Sequence, residues 1–289
     1  MIPDFPPARR VFRDAELQAK LDRDGYVVVD FLNDLETRNL RDWFVAHPDP
    51  VYRRGFAPSV LSASVPYRVA VAELIESVYD MPRRGLLEDY RFGFAGFLCK
   101  APHEGLVKIH QDPSFVFEER YTPVQFWVPL LDVDLSNGCL RVVRGSHRLN
   151  RTVRPSEPVF PYDELLETIY GECMTDVPMR AGQAFVFNPA LFHSSLVNES
   201  DGYRVSAGGM FIPREAELLC VDPDDRQKPK RLSVYNVPDD YYTVNQYMAR
   251  PQGLTPLFTT EFTWTPLDRQ TLRAAAGLDE ALVASARGA

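Results

Sequence analysis

The feature that most constrains the fold is a set of three ligand-type side chains divided between two distant strand-like segments. His110 and Asp112 stand two apart in Ile109-His110-Gln111-Asp112, and His193 follows much later in Leu191-Phe192-His193. Residues i and i+2 of a strand point to one side, so His110 and Asp112 can reach a single ion while Gln111 turns away. Two imidazoles and one carboxylate on one face of a metal hold Fe(II) and leave positions open for a chelating cosubstrate and O2. Arg204, in Tyr203-Arg204-Val205-Ser206, adds a guanidinium fork of the kind that binds a carboxylate through two hydrogen bonds. The combination predicts an iron site that takes 2-oxoglutarate, with Arg204 on its far carboxylate.

Composition is compatible with this reading without selecting it. The 289 residues are 45% hydrophobic and 25% charged, enough for a substantial core. A net charge of −8 gives no footprint for nucleic acid or an anionic membrane surface. No apolar run approaches the length of a membrane span, and the first ten residues lack the apolar core of a secretory signal. Cys99, Cys139, Cys173 and Cys220 are widely spaced and form no C-x-x-C pair. They read as reduced strand residues of a cytoplasmic protein rather than a disulfide frame or zinc site.

The periodicity predicts helices over Asp14–Asp24, Leu35–Ala46 and Val69–Tyr79, with a short buried strand at Tyr26–Val29. Arg53–Tyr67 carries Gly55, Pro58 and Pro66 and reads as a loop. From Tyr90 onward the pattern changes to strands, over Arg91–Lys100, Val107–Gln111, Val124–Val133, Cys139–Val143, Gln183–Asn188, Phe192–Val197 and Arg204–Ile212. One helix, near Tyr162–Tyr170, interrupts them. The expected fold is mainly β with flanking helices, a jelly-roll core of the double-stranded β-helix, cupin-like kind. It is read as one domain over 1–289, with a helix-rich N-terminal region (1–89), the jelly-roll core (90–213) and a C-terminal packing segment (214–289). That last segment reads as a polar loop over Asp222–Arg231, a tyrosine-rich stretch and weak terminal helices.

Residues from about 96 to 213 resemble the phytanoyl-CoA dioxygenase family of Fe(II)/2-oxoglutarate oxygenases. The resemblance lies in Phe97-Leu98-Cys99-Lys100 ahead of the H-x-D, Phe126-Trp127-Val128-Pro129-Leu130, and Asn137-Gly138-Cys139-Leu140-Arg141. It continues through Arg144-Gly145-Ser146-His147-Arg148, Ala181-Gly182-Gln183-Ala184-Phe185, His193-Ser194-Ser195 and Arg204-Val205-Ser206. It implies the double-stranded β-helix, Fe(II), 2-oxoglutarate and O2, and release of succinate and CO2. It implies hydroxylation of a small molecule, in natural-product or amino-acid metabolism, as the default outcome. Desaturation, epimerisation, cyclisation and action on an acyl-CoA stay open, since the family acts on varied substrates. Asp112 argues against halogenation, for which the superfamily places Gly or Ala at that position.

Under this reading His110, Asp112 and His193 are the iron ligands, and Arg204 with Ser206 receives 2-oxoglutarate. Lys100 matches a family lysine that assists cosubstrate binding, although a solvated strand-end lysine is the competing reading. Gln125 and Trp127, on alternate positions of one strand, are expected to meet cosubstrate or substrate, with core packing the alternative for Trp127. Phe115 and Phe117 are candidates for the substrate wall. Arg53, Arg54 and Arg68 flank a loop expected to cover the site and are weighed as anion attractors against a plain charged face. His147, His103 and His47 are read as structural or solvated. Two other classes remain: a divalent-metal hydrolase using the same ligands, and a non-enzymatic jelly-roll binding protein.

Overall fold

The computed structural model describes residues 9–150, 152–157 and 159–278. The helix-rich N-terminal region runs α1 (Ala15–Asp24), β1 (Tyr26–Asp30), α2 (Asp34–Ala46), β2 (Phe56–Pro58) and α3 (Val65–Leu86). The core follows as β3 (Tyr90–Lys100), β4 (Val107–His110), β5 (Val124–Pro129), β6 (Leu140–Val143), the single turn α4 (Leu166–Thr168), β7 (Met174–Val177), β8 (Gln183–Phe187), β9 (His193–Ser195) and β10 (Arg204–Pro213). The C-terminal segment carries β11 (Leu219–Pro223), β12 (Arg231–Asn236), α5 (Tyr241–Val244), β13 (Phe258–Glu261) and α6 (Arg269–Ala275).

Two antiparallel sheets make the core, one ordered β1-β8-β5-β10-β3-β2 and the other β4-β9-β6-β7. Between them pack Trp127, Phe185 and Phe187 of the larger sheet and Leu140, Val142 and Val177 of the smaller. This is the expected double-stranded β-helix. The other face of the larger sheet is covered by α2 and α3, whose Leu40, Phe44, Ile75 and Tyr79 bury against Phe97, Phe126 and Phe211. Each such side chain contributes about 1.5–3 kcal/mol through apolar burial. The Tyr79 hydroxyl donates to the Ala207 carbonyl at 3.0 Å, which satisfies the polar atom that this side chain carries into the layer.

Local signals set the first helices. Asp14 caps α1 by accepting from the Glu16 and Leu17 amides at 2.8 and 2.9 Å, and Asn33 with Glu36 forms a reciprocal capping box on α2. Gly25 ends α1 at φ 83°, and a Cβ there would meet the His147 ring at 2.5 Å. Only glycine fits both the left-handed turn and that close approach.

Several boundaries differ from expectation. Arg53–Tyr67 is not an irregular loop throughout: Phe56–Pro58 pairs with β3 as an edge strand, and α3 already begins at Val65 with Pro66 in its first turn. That helix also runs on past Tyr79 to Leu86, tolerating Pro82. β1 is an edge strand with only Val27 buried. The strand from Val124 stops at Pro129, and Val133 bridges to Met179 beyond a turn. The helix near Tyr162–Tyr170 is a composite of a 3-10 turn, one α turn and a π turn ending at Cys173. The region after Ile212 holds a third antiparallel sheet, β11-β12-β13, with Asp222–Arg231 overlapping the hairpin between its first two strands. The Asp224 carboxylate closes that hairpin by accepting from the Lys230 and Arg231 amides. All four cysteines are buried and free. No helix among the described residues is long and apolar enough to cross a membrane.

Candidate active site

His110 and His193 face each other across the β4–β9 ladder as direct partners, their ring centroids 4.2 Å apart. Each Nδ1 lies 2.9 Å from the carbonyl two residues before it, Lys108 for His110 and Leu191 for His193. A carbonyl only accepts, so both Nδ1 atoms carry a proton, which leaves Nε2 as the ligand atom of each ring. Those Nε2 atoms sit 3.7 Å from the two oxygens of Asp112, and one ligand atom from each of the three residues lies within 4.8 Å of the others. Burial, with the neighbouring His193 ring, pushes the His110 imidazole down to about 4, which keeps it neutral and available as a ligand at ordinary pH.

Asp112 lies beyond the end of β4 and is fixed from three directions. Its Oδ2 accepts from the Gln125 amide at 2.5 Å, its backbone amide donates to the Pro189 carbonyl at 2.9 Å, and its carbonyl accepts from Arg154 Nε at 2.7 Å. Arg154 is itself held by a buried two-pronged pairing with Glu118, at 2.6 and 3.0 Å. Gln111 turns away as expected, its amide donating to the Ala190 and Asn150 carbonyls.

At the other end of the same cavity stands Arg204, 1% exposed. Its Nη1 donates to the Ser206 hydroxyl at 3.2 Å, its guanidinium lies 5.2 Å from the Trp127 ring, and its buried Nε has no acceptor. Lys100 is its direct partner on β3, fully buried, with Nζ donating to the Leu196 carbonyl. Burial, then the nearby Arg204 charge, pulls the Lys100 ammonium down to about 6, and burial lowers Arg204 to about 10. A buried guanidinium with an unspent N–H, beside a buried lysine that a neighbouring anion would hold protonated, suits an incoming carboxylate, which would supply both the missing charge and the missing acceptor. The donor set at the triad and this cationic end thus fit a metal and a dicarboxylate in one chamber of about 520 Å3.

The remaining expected residues fall into place individually. Lys100 is not a solvated strand-end lysine. The Ser206 hydroxyl, which also donates to the Leu98 carbonyl, braces Arg204. Gln125 and Trp127 both line the cavity, the first with its amide engaged by Asp112. Phe115 lines it too, whereas Phe117 stacks on Phe258. Arg53, Arg54 and Arg68 are absent from its lining. Arg68 is buried and donates to the Ser62, Thr243 and Val244 carbonyls, tying the start of α3 to the end of α5. His147 packs under the Gly25 turn, His103 pairs with exposed Asp201, and His47 stacks on Trp43. Tyr247, from the tyrosine-rich segment Tyr235–Tyr247 that the sequence marks as a candidate cover for the iron, is a further residue of the cavity wall, whereas Arg154 and Glu118 are contributors that sequence reading did not single out, because nothing local marks them.

A family model for phytanoyl-CoA dioxygenase matches residues 21–206. The chain belongs to the phytanoyl-CoA dioxygenase family. Among curated relatives, a phytanoyl-CoA dioxygenase of Arabidopsis thaliana is 30% identical over 103 residues, 35% of this chain and 36% of that protein. Phytanoyl-CoA dioxygenase 1 of Oryza sativa subsp. japonica is 25% identical over 155 residues, 53% of this chain and 49% of that protein. The matched stretches therefore span less than half the length of these two relatives. Among solved structures, HygX of Streptomyces hygroscopicus with nickel, 2-oxoglutarate and hygromycin B is similar at TM-score 0.50 and 18% identity, over 70% of this chain and 88% of that one. SnoK, an alpha-ketoglutarate-dependent carbocyclase from nogalamycin biosynthesis, is similar at TM-score 0.52 and 18% identity, over 71% and 86%. These two solved neighbours share the fold derived above.

Proposed function

We propose that this protein is an Fe(II)/2-oxoglutarate-dependent dioxygenase that oxidises a small molecule, with hydroxylation as its default reaction. The observation that carries the reading is the orphaned Nε of buried Arg204 in the same cavity as the His110, Asp112 and His193 ligand atoms. A hydrolytic metal site has no use for a buried carboxylate clamp. Bound iron would supply oxygen activation coupled to decarboxylation of 2-oxoglutarate, giving succinate, CO2 and an oxygen atom inserted into the substrate.

The residues provide the setting for that chemistry. His110 and His193 present neutral Nε2 atoms whose tautomer their own backbone fixes, and Asp112 brings the single negative charge. Gln125 restrains one carboxylate oxygen of Asp112 and so limits how that group rotates. Arg204, with Lys100 beside it, would receive the distal carboxylate of 2-oxoglutarate. The apolar walls Leu98, Phe126, Trp127 and Phe187 keep water from these charges and strengthen every contact made there. A setting in natural-product or amino-acid metabolism belongs to the proposal, as does the cytoplasm.

The test is anaerobic addition of Fe(II) and 2-oxoglutarate, followed by a succinate-release screen over pooled small metabolites. A weak visible charge-transfer band that needs both additions is expected. Its absence, with iron shown to bind, would overturn the proposal.

A further inference from the structure

Part of the cavity lining comes from two covering segments that meet each other. The first contributes Phe56, Pro58, Val60 and Leu61, and the second Tyr247 and Met248. They are bolted together: the Tyr247 amide donates to the Val60 carbonyl at 3.2 Å, Gln246 donates to the Leu61 carbonyl at 3.0 Å, and Arg68 binds carbonyls on both sides. The wall they build is therefore preformed. Of these six side chains, five are apolar and one, Tyr247, carries a hydrogen-bonding group.

The Tyr247 ring is fixed by the Phe94 and Tyr242 rings, at centroid distances of 6.4 and 6.1 Å. Its hydroxyl has no hydrogen-bond partner among the described residues, in contrast to Tyr79, Tyr90, Tyr162 and Tyr242, whose hydroxyls all donate to backbone carbonyls. Met248, the next residue, is held at φ 66°, a left-handed conformation that side chains other than glycine rarely adopt and that clusters at ligand clamps. Besides Tyr247, the triad and Arg204, the polar side chains of the lining include Gln125, Ser194, Ser195 and Lys108. Gln125 is engaged with Asp112, and the two serines belong to β9 just beyond His193, next to the Leu196 carbonyl that holds Lys100, and not to the covering segments. Lys108 is exposed at the rim, where a charge contributes little.

We propose that Tyr247 is a specificity-determining residue, and that the substrate is a neutral, largely apolar molecule of intermediate size whose ketone, hydroxyl or ether oxygen accepts from the Tyr247 hydroxyl. This rests on the oxygenase reading above. The chamber selects against two other classes by desolvation. A polyol would bury several hydroxyls against covering segments whose six lining side chains offer one partner, and a cation would find no carboxylate in the lining besides Asp112, which the metal would use. A single acceptor facing Tyr247 also fixes which carbon is turned toward the triad, so the contact orients as well as binds.

The test measures binding, not turnover, by saturation-transfer NMR with competition titrations. The protein is kept anaerobic with Fe(II) and 2-oxoglutarate, and the probes are camphor, androstenedione, sucrose and choline. At least one ketone is expected to bind, and Tyr247→Phe, which keeps the ring packing, should weaken it about tenfold while leaving melting temperature and 2-oxoglutarate affinity unchanged. Sucrose and choline should not compete. Binding of sucrose or choline ahead of both ketones, binding of neither ketone, or ketone affinity indifferent to Tyr247→Phe would each overturn the proposal. Loss of the iron-dependent charge-transfer band with ketone binding intact would instead indict the oxygenase reading alone.

Discussion

Replacing Arg154 by Met should damage the protein in two separable ways. Arg154 and Glu118 are 2% and 4% exposed, and their pairing is two-pronged. Removing the cation breaks this buried two-pronged pairing, a loss of about 3–5 kcal/mol in comparable buried pairs. Against a total stability of about 5–15 kcal/mol this is a large fraction, and with an unfolding entropy of about 2.1 cal/mol/K per residue over 289 residues it corresponds to a fall of roughly 5–8 °C in Tm. The second effect is at the site: the Arg154 Nε bond to the Asp112 carbonyl disappears, so Asp112 loses one of its three tethers. Losing such a support lowers metal affinity by about 10- to 100-fold. The double variant Arg154→Met/Glu118→Gln separates the two, because it removes both charges and should recover most of the stability while iron affinity stays low. Thermal melts of iron-free protein and anaerobic Fe(II) titration read the two effects. If the single variant melts within about 2 °C of wild type, or the double variant regains iron affinity along with stability, the reasoning fails.

Alanine at His110, Asp112 or His193 should abolish turnover and lower iron occupancy with the circular-dichroism spectrum retained; full activity in any of the three would remove it from the ligand set. Arg204→Met should raise the 2-oxoglutarate KM by at least about thirtyfold, from the 2 kcal/mol or more lost with a buried charge-assisted contact, with iron binding preserved; an unchanged KM would put the clamp elsewhere. Lys100 is lowered from its ordinary 10.5 to about 6, so between those values the unfolded chain binds a proton that the folded one does not. Stability then rises with pH across that window, by at most about 1.4 kcal/mol per unit, and levels off below pH 6 where both states are protonated. Lys100→Met should flatten this slope, as urea unfolding of the iron-free protein at pH 6.5 and 8.5 would show; an identical slope in the variant would mean that Lys100 is charged in the fold.

The sequence made the core strands legible where local composition and tertiary demand agree. β3 and β10 are long, rich in aromatic and branched residues, and pair with each other along most of their length. β2 was not legible, because Phe56-Ala57-Pro58 has no strand signal of its own and becomes a strand only by lying against Lys100, Cys99 and Leu98. β13 failed for a related reason: Phe258–Glu261 is exposed along its whole length, so no alternation of buried and exposed residues marks it. The early start of α3 was hidden by Pro66, which reads as a breaker in isolation but sits in the first turn, where a missing N–H costs nothing.

The same distinction runs through the site. Each histidine takes its tautomer from a carbonyl two residues back on its own chain segment, and the two meet as ladder partners, so spacing and strand pattern were enough to find them. Asp112 is different. It lies past the strand end and depends on Gln125, Arg154 and Pro189, residues 13 and more positions away that no motif around the H-x-D identifies. Arg53, Arg54 and Arg68, weighed as anion attractors against a plain charged face, follow the second reading in part: Arg53 and Arg54 are exposed, Arg68 is consumed by backbone carbonyls, and none of the three lines the cavity. A ligand held by its own strand is insulated from remote change, whereas one held by borrowed partners is exposed to it. Of the three candidate ligands, Asp112 is therefore the one whose position substitutions elsewhere in the core can most readily disturb, through Arg154, Glu118 or Gln125, without touching any residue of the triad.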